Sequence, residues 1–463
     1  MLIFGTILLL VQNVILVLSS DNMCTFDIDK YRDVAKKIIS SCTGSGFYKG
    51  RTWRTLSHFV DNFGSRITGS KNLEHSIHFL EKKFKRLGLE NVSKDPVAVP
   101  HWVRGEEMAA MIHPRFQPLS VIGLGPSVAT PIEGIISEIL VVKSFEELQN
   151  KTPNEVKGKI VVYNEEFESY GKTVIYRGLG AVEAAKLGAA AALVRSVTPF
   201  SIDSPHTGFT HYEEEVPKIP IACISIEGAE LLQRLYNRGI KVIIHLKMLE
   251  KDLSPATSYN LMADIVGSKM PDQLIIISGH IDSWDVGQGA MDDGGGAFIS
   301  WNALSLLHML NLRPKRTIRT ILWTGEEFGL LGANSYFEKN KSNLEKFTFV
   351  MESDMGTFRP TGLIFGGGDK GACIISKILT LFESINATSL VRSSDVSSDI
   401  TFWTDAGIPG ASILNENDKY FWFHHSNGDT MTVENPESLD LCLALWATTA
   451  FVIADMDEDF PRN

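Results

Sequence analysis

Histidine and carboxylate side chains gather just after apolar runs in the C-terminal half of this chain, and these residue types together suit a divalent metal. The run 274–277 leads into Ser278-Gly279-His280-Ile281-Asp282. An imidazole there can offer one ring nitrogen to zinc while Asp282 accepts the proton on the other and fixes the tautomer. Twelve residues after His280 stands Asp292, followed by Asp293, Gly294, Gly295 and Gly296. Glycines admit close backbone approach, and a carboxylate where a helix begins is stabilised by the helix dipole. The run 320–323 leads into Thr324-Gly325-Glu326-Glu327. Of two adjacent carboxylates, one can bind a metal and the other reach the water it activates. The run 347–351 leads to Glu352-Ser353-Asp354, and further on Phe423-His424-His425-Ser426-Asn427-Gly428-Asp429 adds imidazoles. Taken singly, each residue reads as a cap or a solvated loop position. His, Asp, Glu and Asp in turn, followed by a His pair, are hard to explain as caps and read as a metal-binding donor set.

Other chemistries fit less well. The glycine run 294–296 lacks the Lys-Ser/Thr of a phosphate loop and follows acidic residues. Five cysteines, none in a Cys-x-x-Cys pair, disfavour a thiolate zinc site, and their odd number leaves at least one without a partner in the chain. Ser398, Asp399, Thr401, Phe402 and Trp403 are candidates for a substrate pocket, with an ordinary core or loop role equally compatible.

These donors need strands to carry them. From about residue 257 onward the pattern alternates strand and helix. The runs 274–277, 320–323 and 347–351 are apolar without alternation, which suits strands buried on both faces of a parallel sheet. Residues 296–310 and 329–339 read as helices between them. In an open α/β sheet ligands bind beyond the carboxyl ends of the strands, where the donors stand. Upstream, from about 118 to 250, short β-branched runs at 135–142, 160–163, 191–194 and 242–244, with a small-residue helix at 180–188, read as a small β-rich domain. Residues 47–115 open with amphipathic helices at 53–63 and 73–87, then a strand at 97–103.

The segments SGHIDSWDVGQGAMDDGGGAFISW (278–301), LWTGEEFGLLGA (322–333), MESDMGTF (351–358) and YFWFHHSNGDTMTV (420–433) resemble the co-catalytic zinc aminopeptidase and carboxypeptidase family. The resemblance runs through the whole chain after its leader. It implies a zinc-peptidase domain formed by 44–117 and 251–463, with a mainly parallel mixed sheet flanked by helices, and a β-rich protease-associated domain inserted at 118–250. It implies two zinc ions per chain: one held by His280 and Asp354, the second by Glu327 and His425, with Asp292 bridging. Glu326 would be the general base and Asp282 the partner of His280. In this family the bridging Asp often precedes a cis peptide bond, here Asp292-Asp293. Relatives place the ligand His four residues before an acidic residue, as His425 stands before Asp429, which selects His425 over His424. Many relatives carry Tyr just before that His; His424 in its place leaves the oxyanion partner open. The activity implied is hydrolysis of dipeptides or short peptides with free ends, by a homodimer. The competing reading is a receptor that kept this fold without catalysis, but such proteins lose metal ligands and this chain keeps the set.

Composition bounds the rest. A chain of 463 residues is too long for one ordinary core. A net charge of -11 disfavours a nucleic-acid partner. The apolar stretch within residues 1–20, ending in Ser19-Ser20, reads as a secretory signal peptide, although it lacks a basic start; the alternative, an uncleaved membrane anchor, fits less well because Gln12 and Asn13 interrupt the run and neither flank is basic. No later stretch is expected to span a membrane. Residues 26–40 form an amphipathic helix, and the flexible stretch Thr43-Gly44-Ser45-Gly46 marks 21–43 as a removable propeptide or simply as the first helix. Sequons at Asn91, Asn150, Asn340 and Asn386 fit a glycoprotein of the secretory pathway, secreted or lysosomal.

Overall fold

The computed structural model describes residues 24–462, so the leader expected at 1–20 lies outside them. The described chain forms two compact units. One comprises residues 24–99, Ala256–Tyr420 and 429–462; the other comprises Pro100–Pro255 and Phe421–Gly428.

In the first unit, apolar runs build an eight-stranded mixed sheet. Its spatial order is Glu90–Val103, Lys251–Ile265, Arg316–Trp323, Met270–His280, Phe347–Glu352, Gly410–Asn415, Pro360–Gly366 and Ser389–Arg392. The four central strands, from Arg316–Trp323 to Gly410–Asn415, run parallel. Lys251–Ile265 and Pro360–Gly366 pair antiparallel on either side of them. The unalternating runs have the expected cause. Ile275 and Ile277 pack into the core on one face of the sheet, and Ile276 packs with Ile321, Trp323 and Val350 on the other. Parallel strands covered on both faces lose every solvent-facing position, so polar alternation disappears.

Helices Arg32–Cys42, Arg51–Phe63, Lys71–Leu87, Gly295–Met309 and Pro436–Asp455 contribute to the larger core. Arg32–Cys42 buries Ala35, Ile38, Ile39 and Cys42 along one stripe. The helix expected over 26–40 starts later because Asp29–Tyr31 forms a 3-10 turn first. Pro436–Asp455 begins with Pro436 behind Asn435, whose side chain accepts from the backbone N–H groups of Glu437 and Ser438. Contrary to the expectation from sequence, this helix is long and apolar enough to cross a membrane. It is buried inside the unit, and a core helix covered on all sides needs the same composition as a membrane span. Cys24 is disulfide-bonded to Cys373, while Cys42, Cys223 and Cys442 are buried free thiols.

The second unit has its own eight-stranded sheet, in the order Gln117–Leu119, Glu107–His113, Ile243–Met248, Ile135–Val142, Ile160–Tyr163, Ala191–Arg195, Ile221–Ile224 and Val121–Gly123. Strands Ile135–Val142 to Ile221–Ile224 are parallel; helix Ile175–Lys186 lies in one of their connections, and helix Ile226–Asn237 follows the last of them. Its core is separate and centres on Val141, Val162, Leu193 and Ile244.

Candidate metal centre

Three parallel strands of the first unit end side by side. His280 lies opposite Trp323 in register, and Ser278 lies opposite Glu352. The residues that follow therefore emerge at one edge, and the side chains of His280, Asp292, Glu326 and Asp354 meet there. His280 Nε2 is 3.2 Å from Asp292 Oδ1, 3.2 Å from Asp354 Oδ1 and 3.9 Å from Glu326 Oε2. One ligand atom from each of His280, Asp292 and Asp354 lies within 4.8 Å of the other two.

The imidazole is oriented from behind. His280 Nδ1 sits 3.0 Å from the backbone carbonyl of Asp282, so Nδ1 carries the proton and Nε2 turns its lone pair toward the carboxylates. Lone pairs of an imidazole and two carboxylates repel one another unless a cation or a proton lies between them. Burial works against a charged ring, but Asp354, Asp282 and Asp292 outweigh it and raise the His280 pKa well above 6.5. A nitrogen donor with oxygen donors around it, held dry, matches zinc better than calcium or magnesium, which take oxygen ligands alone.

The carboxylates next to the centre divide into two groups. Asp292, Asp354 and Glu326 turn toward His280 Nε2, and Glu327 is buried beside Glu326. Asp282, Asp293 and Asp429 bind backbone N–H groups. The Asp282 carboxylate is 3.7 Å from the His280 ring and accepts instead from the N–H groups of Glu326 at 3.1 Å and Glu327 at 3.3 Å, and from the Thr68 hydroxyl at 2.8 Å. Asp293 accepts from the His280 N–H and, at the start of helix Gly295–Met309, from the Gly296 N–H, each at 3.0 Å. The peptide bond between Asp292 and Asp293 is cis. Ser398 donates its hydroxyl to Asp354 Oδ2 at 2.6 Å.

Burial first, then the charges of Asp354 and Glu327, pushes the Glu326 carboxyl well above its usual 4.5, against the opposing effect of His280. Burial, reinforced by Asp354, raises Glu352 to about 7; burial with Glu352 raises its neighbour Asp399 well above 3.8. Asp399 is thus an interior group, and Trp403 packs into the core against Trp323. Neither lines an open pocket, whereas Ser398 reaches the site through Asp354.

His424 and His425 belong to the second unit. Their rings stack with centroids 3.6 Å apart. His425 Nδ1 is 3.2 Å from the Thr207 carbonyl and 3.4 Å from the Arg177 guanidinium, and the Thr207 N–H donates to the His425 carbonyl at 2.9 Å. His206 Nδ1 is 2.5 Å from the His424 carbonyl, and burial lowers the His206 pKa to about 4, so this ring is neutral. The buried guanidinium of Arg177 donates to the Thr207 carbonyl and to the Tyr170 hydroxyl. Arg177 and His206 were not among the sequence candidates. Their work is done on backbone carbonyls, which no spacing announces.

A mixed α/β sheet with imidazole and carboxylate donors converging beyond its parallel strands places the chain in the class of hydrolases built on such sheets, and comparison gives the family. The model of the family described as Peptidase family M28 matches residues 260–450. Carboxypeptidase Q of Xenopus laevis is 53% identical over 95% of this chain and 93% of its own length, and that of Homo sapiens is 51% identical over 93% and 91%. A solved structure of a peptidase M28 precursor from Shewanella amazonensis superposes with a TM-score of 0.89 at 31% identity, over 94% of this chain and 100% of that one. The chain belongs to peptidase family M28, in the group of the carboxypeptidase Q proteins.

Proposed function

We propose that this chain is a zinc-dependent exopeptidase that hydrolyses dipeptides or short peptides with free ends. The observation that carries the reading is the meeting of His280 Nε2 with Asp292 and Asp354 at 3.2 Å, with Glu326 beside them. The names of the carboxypeptidase Q relatives favour an exopeptidase acting at the carboxyl end.

His280, Asp354, Asp292 and Glu327 would hold two zinc ions, and His425 is the further donor that the family resemblance implies. Bound zinc supplies positive charge that eases deprotonation of a water and polarises the scissile carbonyl. Glu326 is the general base: one of its carboxylate oxygens takes the proton of the attacking water and returns it to the leaving amine nitrogen. Its side chain is 15% accessible, which leaves room for water to reach it. Asp282 fixes the backbone of both Glu326 and Glu327, so base and ligand keep one relative placement. Residues 118–250 correspond to a protease-associated domain. The protein enters the secretory pathway, carries N-linked glycans and works as a homodimer, and the segment 21–43 is either a removable propeptide or the first helix of the working enzyme.

The test is hydrolysis of a dipeptide panel by the purified chain, with zinc measured per chain, before and after chelation. Turnover that vanishes on chelation and returns with zinc is expected. Full activity in zinc-free protein overturns the reading.

A further inference from the structure

Asp292 carries the heaviest duty in the proposed centre, yet it stands on a loop. What holds that loop is a pair of buried residues that the ligand set does not include. The side chain of Asp429 accepts three consecutive backbone N–H groups: Ala290 at 3.0 Å and Met291 at 2.8 Å on Oδ1, and Asp292 itself at 3.1 Å on Oδ2. Its own carbonyl accepts the Gln288 N–H at 2.7 Å. From the other side, the fully buried guanidinium of Arg66 donates to two carbonyls of the same loop, Gln288 at 2.7 Å and Gly289 at 2.8 Å, and to the Ile281 carbonyl outside it at 2.7 Å.

The two residues thus saturate opposite sides of one loop, the carboxylate on its N–H groups and the guanidinium on its C=O groups. Gly289 makes the close approach possible. Its φ is +56°, and a Cβ there would lie 2.3 Å from the Ser283 Cβ and 3.0 Å from the Arg66 guanidinium. Arginine suits the task because its planar fork serves several acceptors at fixed angles, which the single ammonium of lysine cannot do. Buried charges persist in this way only when they are paired and hydrogen-bonded.

We infer that Arg66 and Asp429 are positioning residues that clamp the 288–292 loop and so set where the Asp292 carboxylate presents itself to metal. The inference rests on the zinc reading above. A clamp of this kind acts on affinity and ligand geometry rather than on a bond-making step. Groups that orient metal ligands typically change metal affinity or activity by about 10- to 100-fold when removed.

The experiment compares wild type with Asp429→Asn, using zinc affinity by chelator competition and the visible absorption of the cobalt-substituted protein. Wild type is measured first: a wild type without zinc rejects the zinc reading itself. With a zinc-loaded wild type, Asp429→Asn is expected to bind zinc about 10- to 100-fold more weakly and to show a shifted cobalt band, while its metal-free circular dichroism matches that of metal-free wild type. Affinity within twofold of wild type and an unchanged cobalt band overturn the clamp. Should Asp429→Asn not fold, Arg66→Lys carries the same expectation and the same overturning result. Failure of both to fold also counts against the inference, because it assigns the pair to general stability.

Discussion

The described residues form two eight-stranded sheets, both with four adjacent parallel strands, and among those residues only one sheet ends in a metal-type donor set. In the first, the strand ends deliver His280, the Glu326-Glu327 pair and Asp354 into buried space. In the second, the corresponding ends lead to Asn164, which donates to Glu230 and Gln233, and to Arg195, which pairs with Glu230. Glu230 there is 37% accessible, so that network is partly solvated and its charges are neutralised in pairs. Parallel topology supplies a place for a ligand in both sheets. What distinguishes the first is an excess of buried carboxylates over buried cations, which leaves a deficit of positive charge that a metal can fill.

The largest expected effect breaks the chemistry and spares the architecture. Glu326→Gln should lower kcat by about 10²- to 10⁴-fold while zinc per chain stays at the wild-type value; near-normal turnover refutes the general-base role. Asp282→Asn should act more mildly, because it loosens the backbone of Glu326 and Glu327 and removes no ligand. A drop of about 10- to 100-fold in zinc affinity or kcat is expected, and unchanged kinetics and metal binding rule it out. Leu193→Ala sharpens the contrast from the other sheet. Leu193 is fully buried in the second core, so the variant should lose about 2–5 kcal/mol of stability in denaturant unfolding of the second unit. Zinc content should not change; a metal deficit would mean that the second core governs the centre.

The smallest effect concerns pH. Glu250, 5% accessible in the second unit, is raised from 4.5 to about 8 by burial and by its hydrogen bond with Glu107. A carboxyl whose pKa is raised on folding stabilises the fold fully below the unfolded value and loses that contribution as pH climbs through the folded one. Stability attributable to Glu250 should therefore fall between about pH 4.5 and about pH 8. Glu250→Gln, which keeps a hydrogen-bond donor without the titration, should raise Tm at pH 8 more than at pH 5. Equal shifts at both pH values would remove Glu250 from the account.

Much of the first sheet was legible because strands covered on both faces must be apolar throughout, and 274–277, 320–323 and 347–351 carry that mark. Its donors were legible because each follows such a run. The edge strands were harder. Glu90–Val103 alternates with many exposed positions, so only its buried end from 97 onward stood out. Helix Pro436–Asp455 was overlooked as a span-length apolar segment because single polar residues interrupt it, yet it is covered by protein along nearly its whole length. Arg66, Asp293 and Asp429 escaped notice as a supporting set for one physical reason. They bind main-chain groups, which every residue possesses, so no side-chain pattern betrays their targets.

The disulfide between Cys24 and Cys373 joins points 349 residues apart and anchors the stretch that precedes the first helix. Should a protease nick the Thr43-Gly44-Ser45-Gly46 stretch, the two pieces would remain covalently joined. Gel mobility would then register the nick only after reduction, and a released N-terminal fragment would appear in solution only where a reductant, as well as the protease, had been at work.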